Sequence, residues 1–131
     1  ILLGRDNEVD PNVMSRMNLG KQMSENNFNK ITISRKINSE NLVKNLSDID
    51  AIIIPTVAIS PPEIKIIKDP KNYSKFNSLA LRNTRIGNML NLCCVNVPLK
   101  NHPPKSLMFC SSSGNDYKIL NIARSINSVI N

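Results

Sequence analysis

The chain has 131 residues, of which 40% are hydrophobic and 21% charged, with a formal net charge of +7 and no tryptophan. That length fits one domain with an ordinary soluble composition, and its longest apolar runs fall far short of the roughly 18 residues that span a bilayer. The basic balance attracts anions in general. Its Lys and Arg residues are scattered, however, with no basic run and no interleaved aromatics, so no specific nucleic-acid binding is expected.

Read in chain order, the opening I-L-L-G-R-D lacks an initiator Met and is too short to be a signal-peptide core. Asp10-Pro11 is an N-cap followed by proline at the first helical position, with Val13, Met17 and Leu19 as an apolar face that weakens at Gly20. Ser24 and Glu25 open a second, long helix through Phe28, Ile31, Ile37 and Leu42 to Leu46, mostly solvent-facing with one narrow apolar stripe. Ala51 to Ile54 is a β-branched run without alternation, which predicts a strand buried on both faces and stopped by Pro55. Ser60 to Ser74 reads as an exposed excursion, with Asp69-Pro70 as a turn. Ser78 caps a third helix from Leu79 to Leu92. Cys94 to Val97 and Ser106 to Cys110 are short strands around a proline-rich turn at Lys100 to Lys105. Asp116 caps a last helix that buries Ile119, Leu120, Ala123, Ile126 and Ile130. The expected fold class is α/β, a partial mixed sheet of about three strands covered by about four helices.

The three cysteines, Cys93, Cys94 and Cys110, read as buried free thiols, which favours a reducing, cytoplasmic compartment. With no Cys-x-x-Cys spacing and a single histidine, His102, no metal site is expected. The stretch Met108 to Asp116, M-F-C-S-S-S-G-N-D, raises the question of a nucleophile, because serine-glycine turns at strand-to-helix junctions carry attacking hydroxyls in several hydrolases. A capping turn accounts for the same residues.

Five segments taken together carry a resemblance. They are D-P-N-V-x-x-R-M-x-x-G at 10–20, D-A-I-I-I-P-T at 50–56, L-R-N-T-R-I-G-N-M-L-N-L at 81–92, V-N-V-P at 95–98 and S-S-G-N-D-Y-K-I-L-N-I-A-R-S-I at 112–126. In this order and spacing they resemble the C-terminal part of the amidase signature family. The resemblance implies that the whole chain is a single incomplete domain and that amide hydrolysis in the full enzyme uses a lysine, a serine on a cis peptide bond and a nucleophilic serine. All three lie upstream of the region seen here. It therefore implies no catalytic residue and no cofactor in this chain, and it places Ser111 to Gly114 in the turn before the final helix. The partners implied are a small-molecule amide substrate and the missing N-terminal half, with self-association as the other way to cover an incomplete sheet; no membrane partner is expected.

For the substrate wall, Thr56, Val57 and Ser60 form a substrate-contacting loop or a plain connector. Asn88 is a buried residue that hydrogen-bonds the Thr56 loop, or a group that touches substrate. The family pattern continues from V-N-V-P into a glycine turn and a small residue followed by Gly, where this chain has Lys105 and Ser106. Two other readings stand beside this one. The chain is a non-catalytic remnant or interaction module, or it is part of the amidase subunit of a tRNA-dependent amidotransferase.

Overall fold

A computed structural model describes Gly4, residues 6–102 and residues 104–131. Residues 1–3 and 5, on which the signal-peptide reading bears, and Pro103 of the proline turn lie outside the described residues. The chain divides into two compact units, residues 1–34 and 35–131.

In the first unit a short 3-10 turn, Asp6–Glu8, precedes α1, Pro11–Lys21. Asp10 caps α1 as expected: its carboxylate accepts from the backbone N–H of Asn12 at 2.8 Å and of Val13 at 3.3 Å, and Pro11 fills the first turn. The helix ends at Lys21, one residue past Gly20, the residue expected to weaken its end. Helix α2, Glu25–Asn45, starts where Ser24 Oγ accepts from Asn27 N at 3.3 Å. It buries none of its residues, and Phe28, Ile31 and Ile37 stay half-exposed. The one narrow stripe expected does not form: Ile37 lies about 180° round the helix from Phe28, and apolar residues stay exposed on both sides.

The second unit begins within α2 and holds the sheet. Strands β1, Ile52–Pro55, β2, Leu92–Pro98, and β3, Ser106–Ser112, lie in the order β1-β3-β2. Both pairings are antiparallel, so among the described residues no parallel neighbour makes the sheet mixed. The three strands, with six helices among the described residues, give the α/β class expected.

Register decides the two faces. Phe109 stands opposite both Ile53 and Val95, and Leu107 opposite Val97. This face receives α6, Asp116–Ile130, and the core forms there from Val97, Phe109, Ile119 and Ala123, with Ile122 and Ile126 packed against it. Leu120 is 55% exposed, because it sits about 100° round the helix from Ile119. Ile130 falls in line with Ile126 but lies in the last turn and stays partly exposed. The opposite face carries Ile52, Ile54, Met108, Cys110, Cys94 and Asn96, and faces α5, Thr84–Leu90.

The expectation that Ala51 to Ile54 is buried on both faces fails: Ile53 is 52% exposed. Among the described residues strand β1 pairs only with β3, so it is an edge, and α6 packs chiefly against β2 and β3.

The expected excursion at Ser60 to Ser74 contains two helices, α3, Ile64–Ile67, and the start of α4, Pro70–Ala80. Asp69-Pro70 is a helix start rather than a turn, since the Asp69 carboxylate accepts from Asn72 N at 3.0 Å. Ser78 consequently falls inside α4, and the expected helix from Leu79 to Leu92 is broken at Leu81–Asn83 before α5 begins. The end of α5 is sealed by left-handed Asn91 (φ 55°) and by α2. Arg35 Nε donates to Met89 O at 3.0 Å, and Ser39 Oγ donates to Leu90 O at 2.7 Å. These bonds satisfy carbonyls that a helix end leaves unpaired.

Candidate functional site

The site is built where the sheet stops. Pro55 has no N–H and ends β1, but Thr56 N still donates to Ser106 O at 3.0 Å, so the chain leaves the sheet alongside the start of β3. Opposite, the link between β2 and β3 folds into a compact turn. Leu99 N donates to Lys105 O at 3.0 Å, His102 N to Leu99 O at 3.0 Å and Lys105 N to His102 O at 2.7 Å. Asn131, at the end of α6, ties this turn down: Lys100 N donates to its Oδ1 at 2.7 Å, and its Nδ2 donates to Pro98 O at 2.8 Å.

Between the two segments lies a cleft of about 340 Å³, lined by residues 55 and 57–61 on one side and 99 and 104–107 on the other. Its wall is aliphatic and proline-rich, with Ser60, Ser106 and Lys105 as the polar and charged members. A volume of this order accepts a small molecule.

The structure brings Val57 and Ser60 together on the cleft wall. Thr56 sits one step away, half-buried on the other face of the sheet, hydrogen-bonded to Asn96 Oδ1. Asn88 is exposed on α5 instead of buried; its carbonyl accepts from Arg35 Nη2 at 3.4 Å, and it makes no described bond to the Thr56 segment. That bond is made by Asn83, whose Nδ2 donates to Pro55 O at 2.7 Å. Asn83 lies in the same L-R-N-T-R-I-G-N segment five residues earlier, and periodicity offers no way to choose between two asparagines whose helix was read as one piece. Replacing Asn83 with Ala is expected to cost about 1 kcal/mol, the usual net worth of such a bond, and to loosen the 56–61 segment. Faster amide hydrogen exchange at Val57 to Ser60, with the β2–β3 amides unchanged, is the readout.

The serine run lies elsewhere. Ser106 and Leu107, at the start of β3, line the cleft; Ser112 ends the same strand, about 20 Å away at strand rise. Ser111 is buried and its Oγ accepts from Asn115 Nδ2 at 3.2 Å. Ser112 O accepts from Asn115 N at 3.1 Å, and Gly114 takes φ +86°, the left-handed geometry that favours glycine in a turn. Asn115, not Asp116, holds the cap position of α6, and Asp116 is its first acidic residue, favourably placed at the positive helix end. Among the described residues no serine hydroxyl of this run bonds a lysine or the histidine.

The cysteines differ from the expectation in one respect: Cys94 is exposed, Cys93 half-buried and only Cys110 buried. Cys94 and Cys110 stand opposite each other in the β2–β3 register with their sulfurs 3.2 Å apart. Burial, reinforced by the Cys94 thiol, pushes Cys110 up from 9.0 to about 12. A raised thiol keeps its proton in the folded state while the unfolded chain ionises first. Folding stability is therefore intact below about pH 9 and is lost as pH rises toward 12, with a slope of up to about 1.4 kcal/mol per pH unit. Thermal melts across this range should show the slope in the parent protein and a flatter limb in Cys110→Ala.

Among the described residues no group of three or more potential ligands is placed to hold a metal ion, and no helix is long and apolar enough to cross a membrane.

No family model matches the chain. No solved structure matches it. It is similar to the 2-amino-5-chloromuconic acid deaminase of Comamonas testosteroni, with 26% identity over 125 residues. The match takes in 93% of this chain but only 27% of that deaminase. Nearly the whole chain thus resembles about a quarter of the length of a deaminase.

Proposed function

We propose that this chain is the C-terminal portion of an amidase-signature hydrolase of C–N bonds, one incomplete domain that supplies a wall of the substrate cleft while the nucleophile and its base come from the remainder of the protein. The observation that carries the reading is the cleft at the end of β1 and β3, lined by Val57 and Ser60 of the segment that follows D-A-I-I-I-P-T. The similarity to a deaminase over a quarter of its length supports it. So does the uncovered apolar surface: Ile53 on an edge strand and the exposed Phe28, Ile31 and Ile37 of α2 are what an element shows when its packing partner is another part of a larger protein.

In this reading Val57 supplies apolar contact and Ser60 a hydroxyl to the substrate. Thr56, locked to Asn96, fixes where the segment leaves the sheet. The serine run closes β3 onto α6 and takes no part in the reaction. The protein acts in the cytoplasm on a small amide or amine-bearing substrate, without a metal or other cofactor.

The test is ammonia release. The protein expressed in its native reading frame, with whatever precedes Ile1, is expected to release ammonia from primary amides or amino-substituted unsaturated acids; residues 1–131 alone are expected to release none. Turnover by the purified 131-residue chain, abolished in Ser112→Ala, would overturn the assignment.

A further inference from the structure

The cleft is aliphatic on almost every side, yet one charged residue lines it. Lys105 stands on the wall beside Ser106, opposite Val57 and Ser60. Its backbone is pinned in both directions, by the bond from Lys105 N to His102 O and the bond from Leu99 N to Lys105 O. The ammonium is thus carried by a fixed turn, and only its own side-chain torsions are free. The ion pairs among the described residues, Lys65 with Glu63 and Lys118 with Asp50, leave it out.

A cation at the margin of an apolar cleft selects for one kind of ligand. A neutral apolar molecule gains nothing from the exposed ammonium. An anion with an apolar body pairs with it and buries its carbon skeleton against the proline and aliphatic surface in the same act. The volume, about 340 Å³, suits a body of few carbons. We propose that Lys105 is a specificity-determining residue that binds a carboxylate of the substrate, so that the cleft takes small acyclic carboxylic acids in preference to neutral amides. Ser60 and Ser106 offer hydroxyls to the same carboxylate. This inference rests on the cleft's being a substrate site and adds the substrate's charge class to that reading.

The test uses the 131-residue chain and two probes of equal length, hexa-2,4-dienedioate and its neutral diamide, followed by amide chemical shifts in a nuclear magnetic resonance titration. The dianion is expected to shift Val57, Ser60 and Ser106 and to bind about two- to fivefold more tightly than the diamide, the scale of one exposed ion pair. Lys105→Met should remove that preference, and Lys105→Arg should keep it. Lys105 is exposed, so neither variant threatens the fold. Equal binding of the two probes, unchanged preference in Lys105→Met, or no shifts at the cleft would each overturn the inference.

Its failure separates from failure of the hydrolase reading. A complete protein that releases ammonia equally well from neutral amides and from acids contradicts the role of Lys105 and leaves hydrolysis standing. Dianion binding through Lys105 in a complete protein that releases no ammonia contradicts hydrolysis and leaves the carboxylate site standing.

Discussion

Phe109→Ala is expected to destabilise the 35–131 unit by about 3–5 kcal/mol, the range for removing a buried aromatic from a core. Phe109 is fully buried at the centre of the middle strand, between Ile53 on β1 and Val95 on β2 and beneath α6. No neighbour can close the gap, because both flanking strands are fixed by register and α6 is held through Ile119 and Ala123. The total stability of a chain this size is on the order of 10 kcal/mol, so the loss is a large share of it. A fall in melting temperature of the order of 10–20 °C by circular dichroism is expected. Ile53→Ala removes a smaller apolar volume one strand away at a 52% exposed position, and should cost no more than about 1 kcal/mol. Comparable melts for the two variants would mean that the core is not where α6 meets β3.

The second large effect concerns activity. If the nucleophile lies outside residues 1–131, the complete protein and the isolated chain should differ in turnover by about a million-fold or more, the scale of enzymatic rate enhancement. In the complete protein, Ser112→Ala and Ser113→Ala should leave kcat within about threefold. Loss of a true serine nucleophile instead costs about 10⁴–10⁶. The geometry sets this expectation. Ser111 is buried against Asn115, Ser112 closes the turn, and the run lies at the far end of β3 from the cleft. A hydroxyl about 20 Å from the cleft cannot attack a molecule bound there.

Much of this was legible from local chemistry. Asp10-Pro11 announced a helix start because a carboxylate cap and a proline without N–H are both local requirements, and the two residues alone carry the signal. Asp69-Pro70 carries the same signal. The sequence there suggests a turn because the residues around it, Ser60 to Ser74, show no long apolar period; α3 has four residues and α4 buries none fully, which leaves little period to see. The burial of β1 failed for a non-local reason. Three isoleucines in a row fit a strand covered on both faces, but coverage depends on what packs there, and β1 is an edge.

Half of the cleft's lining was legible. Val57 and Ser60 follow a strand stop, and the loop after a strand end is where sites gather. The other wall was out of reach. Lys105 joins the cleft only because β2 and β3 pair with Cys94 opposite Cys110, which folds the 99–105 link back toward the end of β1. No spacing along the chain brings residue 105 beside residue 57. The exchange of Asn88 for Asn83 has a similar origin. A break at Leu81–Asn83 splits what reads as one helix, and it frees the earlier asparagine to reach Pro55.

The most direct measurement of the central claim, that this chain lends a cleft wall and no nucleophile, is intact-mass analysis after treatment with a fluorophosphonate that labels activated serines. The 131-residue chain should return its unmodified mass, while the protein in its full reading frame should gain one adduct on a serine upstream of Ile1. An adduct on the isolated chain that disappears in Ser112→Ala or Ser113→Ala would place the nucleophile in the serine run and contradict the account.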